Sequence, residues 1–418
     1  MSYPNKFNNF NINKNNIPFG TNFAYPNYYN NNNYYSFNYN NFYNNYNYIN
    51  YNNNINNHPI TTNNISKSYK LLFWNILCNE YSFDWKTSPK IELKYKVWEH
   101  RSKLFNQIFS DKNIISDIYC FVEVDKQDDL YIMLNGIVNK KLFETVYLPR
   151  PSTPLGIMLL YNREKFKLLN SYKYLLGKTI YQNFALVAIL QEIIYPCNIF
   201  VVIVTHLKAW DKNENIRIKQ INQLFYSMAK DKNLKNLNIN KIIFCGDLNT
   251  NPDSECLKII ANNKFNSVFD ISEQSKNDGN YTMVIDTVDE GLKKLKFDYI
   301  FTNSNVVIVN QILPINYLNF DKGMPNENFP SDHLYLFTEF KFCEKNKEIP
   351  YDYNNIIYDH NLNYNIKMPN KNKEDNKLEN SKIQKDNSSN EDDKETDDKD
   401  NMNIKDKEKT ENNNEEKK

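Results

Sequence analysis

Eight short, continuous apolar runs constrain the fold more strongly than any other feature of the sequence. Each has the length of a β-strand, and its apolar residues do not alternate with polar ones, which is typical of strands covered on both faces. The runs are Lys70–Trp74, Ile118–Val122, Ile157–Tyr161, Phe184–Leu190, Ile199–Val204, Lys241–Cys245, Phe297–Phe301 and Leu334–Phe340. We therefore expect buried strands to carry most of the core.

Helical patterns lie between these runs. Apolar residues mark one face of Tyr95–Phe109 and of Glu214–Ala229. A shorter helix is expected after Pro252, with Asp253 or Ser254 as its N-cap. Two stacked sheets with helices outside fit this α/β pattern best, and a single doubly wound sheet is the alternative.

The two ends of the chain differ in composition from this region. Residues 1–66 are rich in Asn and Tyr, and the last fifty or so residues are mainly Lys, Glu, Asp and Asn. Neither end offers enough apolar surface to offset its ordering entropy. We predict a disordered leader over residues 1–66, one catalytic domain over 67–343, and a polar to charged, mostly disordered tail over 344–418. Self-association is the alternative role for the Asn-rich leader.

Charge and cysteine usage narrow the function classes. The formal net charge of +1 is not the basic signature of a protein that binds long nucleic acid, but it allows a small nucleotide or a short single strand. The six cysteines lack the spacing of a metal site and indicate reduced thiols. No apolar run has transmembrane length. These features predict a cytoplasmic protein with no membrane partner, and the nucleus is the alternative location.

Polar residues that suit catalysis stand at or beside the ends of the apolar runs. They are Asn75, Glu123, His206, Asp247, Asn249, Asp298, Asp332 and His333. Sites of α/β proteins form where strand ends converge. A single residue of this kind is more often solvated, and a single histidine is more often a satisfied core residue. Two of only five histidines stand beside carboxylates in this way, so a shared site is the better interpretation.

The segment Cys245–Asn249 shows the chemistry most clearly. Gly246 lets the backbone turn or approach a ligand closely. Asp247 can accept a proton from a water, and the Asn249 amide can position a substrate oxygen. The alternative is a turn in which both side chains bond their own backbone. Oxygen ligands without thiolates favour Mg²⁺, or Mn²⁺.

Six motifs occur in the order found in the endonuclease/exonuclease/phosphatase superfamily, which the region from Lys70 to Phe342 therefore resembles. They are Asn75 within Phe-Trp-Asn-Ile-Leu, Glu123 within Val-Glu-Val-Asp, Thr205-His206-Leu207, Gly246-Asp247-Leu248-Asn249, Asp298-Tyr299-Ile300 and Ser331-Asp332-His333. Trp98–Arg101 and Phe329–Leu334 are similar to the carbon catabolite repressor deadenylases and nocturnin. Thr205–Ala209, with the following Glu214, Arg217 and Gln220, is most similar to nocturnin.

This resemblance implies a four-layer α/β sandwich and a role for each site residue. Glu123 would hold Mg²⁺ with Asn75 close by, and Asp332 would assist a second ion. The catalytic group would comprise Asp247 for the attacking water, Asn249 for the phosphate, His206 for the transition state, and His333, oriented by Asp298, for proton transfer or phosphate contact. Lys208 and Arg101 would bind substrate. Trp210, at which the sequence departs from the family, is expected to bind substrate by stacking on a base, and an ordinary packed aromatic is the alternative.

The sequence departs from the family where substrates are recognised. Val122 replaces a Gln before the metal Glu, Leu155 replaces an Asp, and Trp210-Asp211 replaces a basic residue. The expected function is a 3′–5′ exoribonuclease acting on poly(A) of mRNA, and an NADP(H) 2′-phosphatase is the alternative. A non-catalytic binding module, the third hypothesis, predicts the loss of a catalytic residue, and none is lost.

Overall fold

The computed structural model describes residues 67–83, 89–125, 142–150, 155–177, 183–269, 280–313 and 323–361, apart from the side chain of Asp211. The predicted leader, and the predicted tail beyond residue 361, lie outside these residues. The strands are β1 (Tyr69–Asn75), β2 (Ile118–Val122), β3 (Phe143–Pro149), β4 (Gly156–Asn162), β5 (Phe166–Leu175), β6 (Phe184–Glu192), β7 (Ile199–His206), β8 (Ile242–Asp247), β9 (Asn266–Ser267), β10 (Met283–Thr287), β11 (Gly291–Leu295), β12 (Asp298–Thr302), β13 (Val306–Ile312) and β14 (Leu336–Phe342). The α-helices are α1 (Leu93–Lys96), α2 (Trp98–Phe109), α3 (Glu214–Lys230), α4 (Lys232–Asn236) and α5 (Glu255–Asn262).

The strands form two six-stranded mixed sheets and one hairpin. The first sheet has the order β13-β14-β1-β2-β4-β3, the second has the order β5-β6-β7-β8-β12-β9, and β10 pairs with β11. The pairs β1–β2 and β7–β8 are parallel, whereas the other neighbours are antiparallel. The two central parallel pairs end at the edge of the fold that carries the polar residues.

The core consists of three apolar layers. One lies between the sheets, where Cys120 of the first sheet and Val202 of the second belong to the same buried cluster. The outer face of the second sheet packs on α3 and α5, and Phe225 is fully buried there. The outer face of the first sheet packs on α2 through Phe105 and Trp74. The predicted four-layer sandwich is confirmed, and the doubly wound alternative is wrong.

All eight apolar runs form strands, and six further strands were not predicted. Three of these are β9 and the two hairpin strands β10 and β11. The others are β3, β5 and β13, which lie at edges of the two sheets and keep partly exposed residues along their length. Polar residues can occupy such positions, so continuous apolar runs do not mark edge strands. The short helix α5 is capped by Ser254, whose Oγ accepts a hydrogen bond from the Leu257 N–H.

The packed region extends past the predicted boundary at residue 343. Tyr353 and Ile356 are buried against the α3 side of the second sheet, and the Tyr353 hydroxyl donates to Ile239 O at 2.6 Å. Apolar side chains spaced among polar ones anchor this segment, so residues 344–361 belong to the domain. No helix in the described ranges has the length and apolar character needed to span a bilayer.

Candidate active site

Polar residues from both sheets meet at one edge of the sandwich. Asn75 ends β1 and Glu123 directly follows β2, so the parallel pairing of these strands places the two residues close together. In the second sheet, His206 and Asp247 end β7 and β8 and are register partners. Asp298 begins β12 and lies opposite Asp247 in the antiparallel register. The sheet registers thus bring together residues that are far apart in the sequence.

Gly246 allows the close approach of β7 and β8 beneath this edge. A Cβ atom at Gly246 would lie 2.5 Å from the carbonyl oxygen of Thr205, which is too close for any side chain. The sequence predicted a turn or a close approach to a ligand at this glycine. The structure shows that the close approach is to the neighbouring strand.

The amide of Asn75 connects the two sheets. Its Nδ2 donates to Glu123 Oε1 at 3.0 Å and to Asp247 Oδ2 at 2.9 Å. Its Oδ1 accepts a hydrogen bond from the Leu77 N–H at 3.0 Å. Asn75 is fully buried, so this amide holds the two carboxylates in fixed positions.

Two imidazoles face the same carboxylates. His206 Nε2 lies 3.8 Å from Glu123 Oε1 and 3.7 Å from Asp247 Oδ2. His333 Nε2 lies 3.7 Å from Asp247 Oδ2, and its Nδ1 lies 2.8 Å from Asp298 Oδ2. The bond to Asp298 fixes the ring so that Nε2 points at the site.

Asn249 and Glu123 adopt left-handed backbone conformations, with φ of 51° and 58°. The N–H of Asn249 donates to Asp247 Oδ1 at 2.9 Å, and its Nδ2 donates to Leu207 O at 3.2 Å. The turn considered as the alternative is therefore present, and Asp247 takes part in it while its Oδ2 faces Asn75. Such conformations are uncommon outside glycine and concentrate at functional sites.

Asp332 lies beside His333, with Oδ1 4.0 Å from His333 Nε2. The hydroxyl of Ser331 donates to Asn75 O at 2.7 Å and accepts the His333 N–H at 3.2 Å. The segment that precedes β14 is thereby tied to the end of β1. The structure thus gathers all eight strand-end residues at one edge.

Burial and like charge disfavour ionised carboxylates at this edge. Burial, with the neighbouring Asp298, raises the pKa of Asp247 to about 8, although His333 and the Asn75 amide act in the opposite direction. Burial raises the pKa of Asp332 to about 6, with a further contribution from Glu123. Without a bound cation, the site therefore favours the protonated form of Asp247 at neutral pH.

The two histidines are shifted in opposite directions. Burial lowers the pKa of His206 well below its usual value, and the positive charges of Arg150, His333 and Lys208 add to this effect. Burial also disfavours charge on His333, but the carboxylates of Asp298, Asp332 and Asp247 outweigh it and raise that pKa well above its usual value. Charge is thus disfavoured on His206 and favoured on His333.

The donor set fits a divalent cation. Ligand atoms of Glu123, His206 and Asp247 lie within 4.8 Å of one another, and those of Asp247, Asp298 and His333 do so as well. Asp298 Oδ1 is buried and has no hydrogen-bond partner within the described ranges. A cation at this edge would compensate the crowded carboxylates and lower their pKa values.

Residues 72–333 match the model of the Endonuclease/Exonuclease/phosphatase family. The chain belongs to this family. Its members are metal-dependent hydrolases of phosphoric esters, which agrees with the donor set.

Similar proteins place the chain in the branch of the family that contains nocturnin and the Ccr4 exoribonucleases. Nocturnin of Xenopus laevis is 28% identical over 296 residues, an alignment that covers 66% of this chain and 74% of that protein. The probable CCR4-Not complex 3′-5′-exoribonuclease subunit Ccr4 of Enterocytozoon bieneusi is 24% identical over 324 residues, covering 67% of this chain and 66% of that protein.

Solved structures share the fold. The human nocturnin catalytic domain with a bound sulfate superposes with a TM-score of 0.51 at 23% identity, covering 66% of this chain and 95% of that one. ANGEL2, a 2′,3′-cyclic phosphatase, superposes with a TM-score of 0.54 at 18% identity, covering 66% and 96%. These figures refer to its complex with adenosine-2′,3′-vanadate.

Arg101 lies outside the reach of substrate, in contrast to the predicted role. Its side chain is fully buried, its Nε donates to Pro330 O at 2.6 Å, and its Nη2 donates to the carbonyl oxygens of Ile76 and Leu77. It therefore joins the loop after β1 to the loop before β14. A guanidinium that can make several bonds to backbone oxygens suits this position, which the sequence alone did not reveal.

Lys208 and Trp210 lie on the loop after His206. The positive charge of Lys208 acts on His206, and its backbone N–H donates to Gln220 Oε1 at 3.0 Å. Trp210 is 57% exposed, and its carbonyl accepts a hydrogen bond from Arg217 Nη1 at 2.7 Å. Both residues lie on the loop that leaves β7 at His206, and their substrate-binding role stays a prediction.

The sequence did not reveal Arg150, which directly follows β3. Its charge acts on both Glu123 and His206, and its buried Nε has no hydrogen-bond partner among the described residues. Burial lowers its pKa. Arginine followed by proline in a loop gave no sequence signal, because its distance from the site depends on the pairing of β3 with β4.

Proposed function

We propose that this chain is a Mg²⁺-dependent 3′–5′ exoribonuclease that removes nucleotides from single-stranded RNA such as the poly(A) tail of mRNA. The observation that carries the proposal is the arrangement around the Asn75 amide, which donates to Glu123 at 3.0 Å and to Asp247 at 2.9 Å. The Nε2 atoms of His206 and His333 each lie 3.7 Å from the carboxylate of Asp247. This set suits the hydrolysis of a phosphate ester. Relatives named as 3′–5′ exoribonucleases support the choice of RNA.

Glu123 is the main Mg²⁺ ligand in this proposal, with Asn75 holding its carboxylate and Asp332 available to a second ion. When bound, Mg²⁺ would neutralise charge that develops on the phosphoryl oxygens. Mn²⁺ has similar ligand preferences and is the alternative ion. Oxygen ligands without a thiolate favour either ion over Zn²⁺.

The residues of the second sheet act on the water and the phosphate. Asp247 Oδ2 orients the attacking water, for which its position between the two imidazoles is suitable. Neutral His206 donates a hydrogen bond to the phosphoryl oxygen as charge develops there. Asn249 contacts the same group from the turn after β8.

His333 handles the proton. Asp298 holds Nδ1 at 2.8 Å, so the imidazolium presents Nε2 to the reacting atoms and can transfer a proton or contact the phosphate.

Lys208, Arg150 and Trp210 contact the substrate, and Arg101 acts as a positioning residue for the loops that carry Asn75 and Asp332. We place the enzyme in the cytoplasm, with the nucleus as the alternative, and its six free thiols suit either location.

A second function has a specific observation in its favour. The loop Thr205–Ala209, supported by Arg217 and Gln220, is the segment most similar to nocturnin, and nocturnin relatives show the higher identity. A nocturnin-like removal of the 2′-phosphate from NADP(H) would use the same hydrolytic group. The difference between the two substrates lies outside that group.

The test is a side-by-side assay of the full-length protein with 5′-labelled oligo(A) RNA and with NADPH, in Mg²⁺ and in EDTA. We expect stepwise shortening of the RNA in Mg²⁺ only. Glu123→Gln, which keeps the shape of the side chain, should lower this activity by at least about 100-fold. Conversion of NADPH without RNA shortening would select the second function, and full RNA activity of Glu123→Gln would contradict the assigned ligand.

A further inference from the structure

Among the residues that the structure describes, four aromatic side chains are exposed, namely Tyr81, Phe83, Tyr195 and Trp210, at 40%, 43%, 48% and 57%. Tyr195 lies in the turn between β6 and β7, at the ends of these strands that are remote from His206. The other three lie on loops that start from site strands, which suggests a common purpose.

Tyr81 lies on a loop that is built onto Glu123. The Cys78 N–H donates to Glu123 Oε2 at 3.1 Å, and the Tyr81 N–H donates to Cys78 O at 3.1 Å. Partial burial raises the pKa of Tyr81, the charges of Cys78 and Glu123 add to the shift, and Arg150 opposes it. The phenol therefore lies within the electrostatic range of both the proposed metal ligand and the proposed phosphate contact.

Trp210 is held by the second sheet. The Leu207 N–H donates to Asp247 O at 3.0 Å, which fixes the start of its loop next to the catalytic carboxylate. Trp210 has a φ of 78°, an uncommon conformation for a bulky residue, and buried Arg217 binds its carbonyl oxygen. A strained backbone that presents an exposed ring is expected where the ring has a ligand.

The two rings come from different sheets, and each has a cation as a neighbour. The positive charge of Arg150 acts on Tyr81, whereas Trp210 follows Lys208 by two residues in the same loop. Single-stranded nucleic acids bind to grooves in which cations contact the phosphates and aromatic rings stack on the bases. A series of contacts connects the two loops through the catalytic residues. Cys78 of the first loop bonds Glu123, and Leu207 of the second loop bonds Asp247. His206 lies near both of these carboxylates.

We propose that Tyr81 and Trp210 are two base-stacking platforms that hold the bases on the two sides of the scissile phosphate. The inference rests on the proposed exoribonuclease function and deepens it. The terminal base stacks on one ring and the penultimate base stacks on the other. The minimal substrate is consequently a dinucleotide unit of an RNA chain, and Phe83 extends the platform of Tyr81.

The experiment uses the full-length protein with Mg²⁺ and three RNAs of equal length. They are oligo(A), the same RNA with an abasic 3′-terminal residue, and the same RNA with an abasic penultimate residue. The variants are Tyr81→Ala and Trp210→Ala. Tyr195→Ala is the matched control because it removes an equally exposed ring far from the site, and Tyr81→Phe keeps the ring.

We expect each platform variant to raise KM for oligo(A) about tenfold, with a smaller change in kcat. On one of the two abasic RNAs, each variant should have the same KM as the wild type, because the base that would stack on the deleted ring is absent. The RNA on which this happens should differ between the two variants. Tyr195→Ala and Tyr81→Phe should match the wild type. A Tyr81→Ala enzyme that matches Tyr195→Ala would overturn the inference, as would loss of the penalty by both variants on the same RNA.

Failure of the proposed function gives a different result. In that case the wild type cleaves none of the RNAs while it converts NADPH. A raised KM for NADPH in both platform variants would then assign the rings to the two bases of a dinucleotide and overturn the RNA assignment.

Discussion

Thr282 offers a sharp test of how the site is held in place. It is fully buried, and its Oγ1 accepts hydrogen bonds from the N–H groups of Phe297 and Asp298, both at 3.0 Å. Its carbonyl accepts the Leu334 N–H at 2.7 Å. One residue therefore links the start of β12, which carries Asp298, to the segment that carries His333.

Thr282→Val removes the acceptor without opening a cavity, since the two side chains have nearly the same shape. Two buried N–H groups lose their partner, and each costs about 1–3 kcal/mol when left unpaired. We expect the free energy of unfolding to fall by about 2–4 kcal/mol, because some relaxation will reduce the sum. We also expect kcat to fall about tenfold or more, because Asp298 no longer fixes His333 in one orientation.

The assay is urea denaturation of the metal-free full-length protein, together with kcat on oligo(A). Thr282→Ser is the matched control, since it keeps the acceptor and loses only a methyl group. It should retain most of the stability and of kcat. A Thr282→Val protein within about 0.5 kcal/mol of the wild type, or one equal in stability to Thr282→Ser, would refute the reasoning.

Two further predictions concern buried charge. Because the folded-state pKa of Asp247 is raised to about 8, the metal-free fold should lose stability as pH rises from about 4 to about 8. Asp247→Asn should remove this slope, melt above the wild type at pH 8 and show a smaller Mg²⁺-induced rise in Tm; an unchanged slope would contradict the assignment. Arg101→Met should lower Tm, because three carbonyl oxygens lose their donor, whereas a substrate-binding Arg101 would change KM alone.

The sequence predicted the central strands well and the edge strands poorly. Buried central strands such as β2 are continuously apolar because both faces are covered. The edge strand β5 mixes exposed and buried residues, so its pattern does not differ from that of a loop. The segment after residue 343 was misjudged for a related reason, since only a few spaced apolar side chains, among them Tyr353, anchor it.

For the site, the sequence predicted which residues take part and their order along the chain, but it did not predict their contacts. The strand-end position of Asp247 and His206 was evident from the apolar runs before them. The role of Arg101 was not evident. The Trp98–Arg101 pattern is compatible with a buried arginine that bonds backbone carbonyl oxygens and with a surface cation that binds substrate. Arg150 and Tyr81 belong to no motif. Their relation to the site is shown only by the structure, in which the charges of Arg150 and Glu123 interact and the loop of Tyr81 bonds Glu123.

By itself, the sequence determined the layered fold and the family, and it predicted a set of hydrolytic residues, because apolar periodicity and short motifs are local properties of the chain. The tertiary structure alone decided that Asn75 joins two carboxylates, that Asp298 orients His333, and that the charge of Arg150 acts on the site. These relations depend on the register of strands whose residues are far apart in sequence. A shift of one residue in that register would turn each side chain to the opposite face.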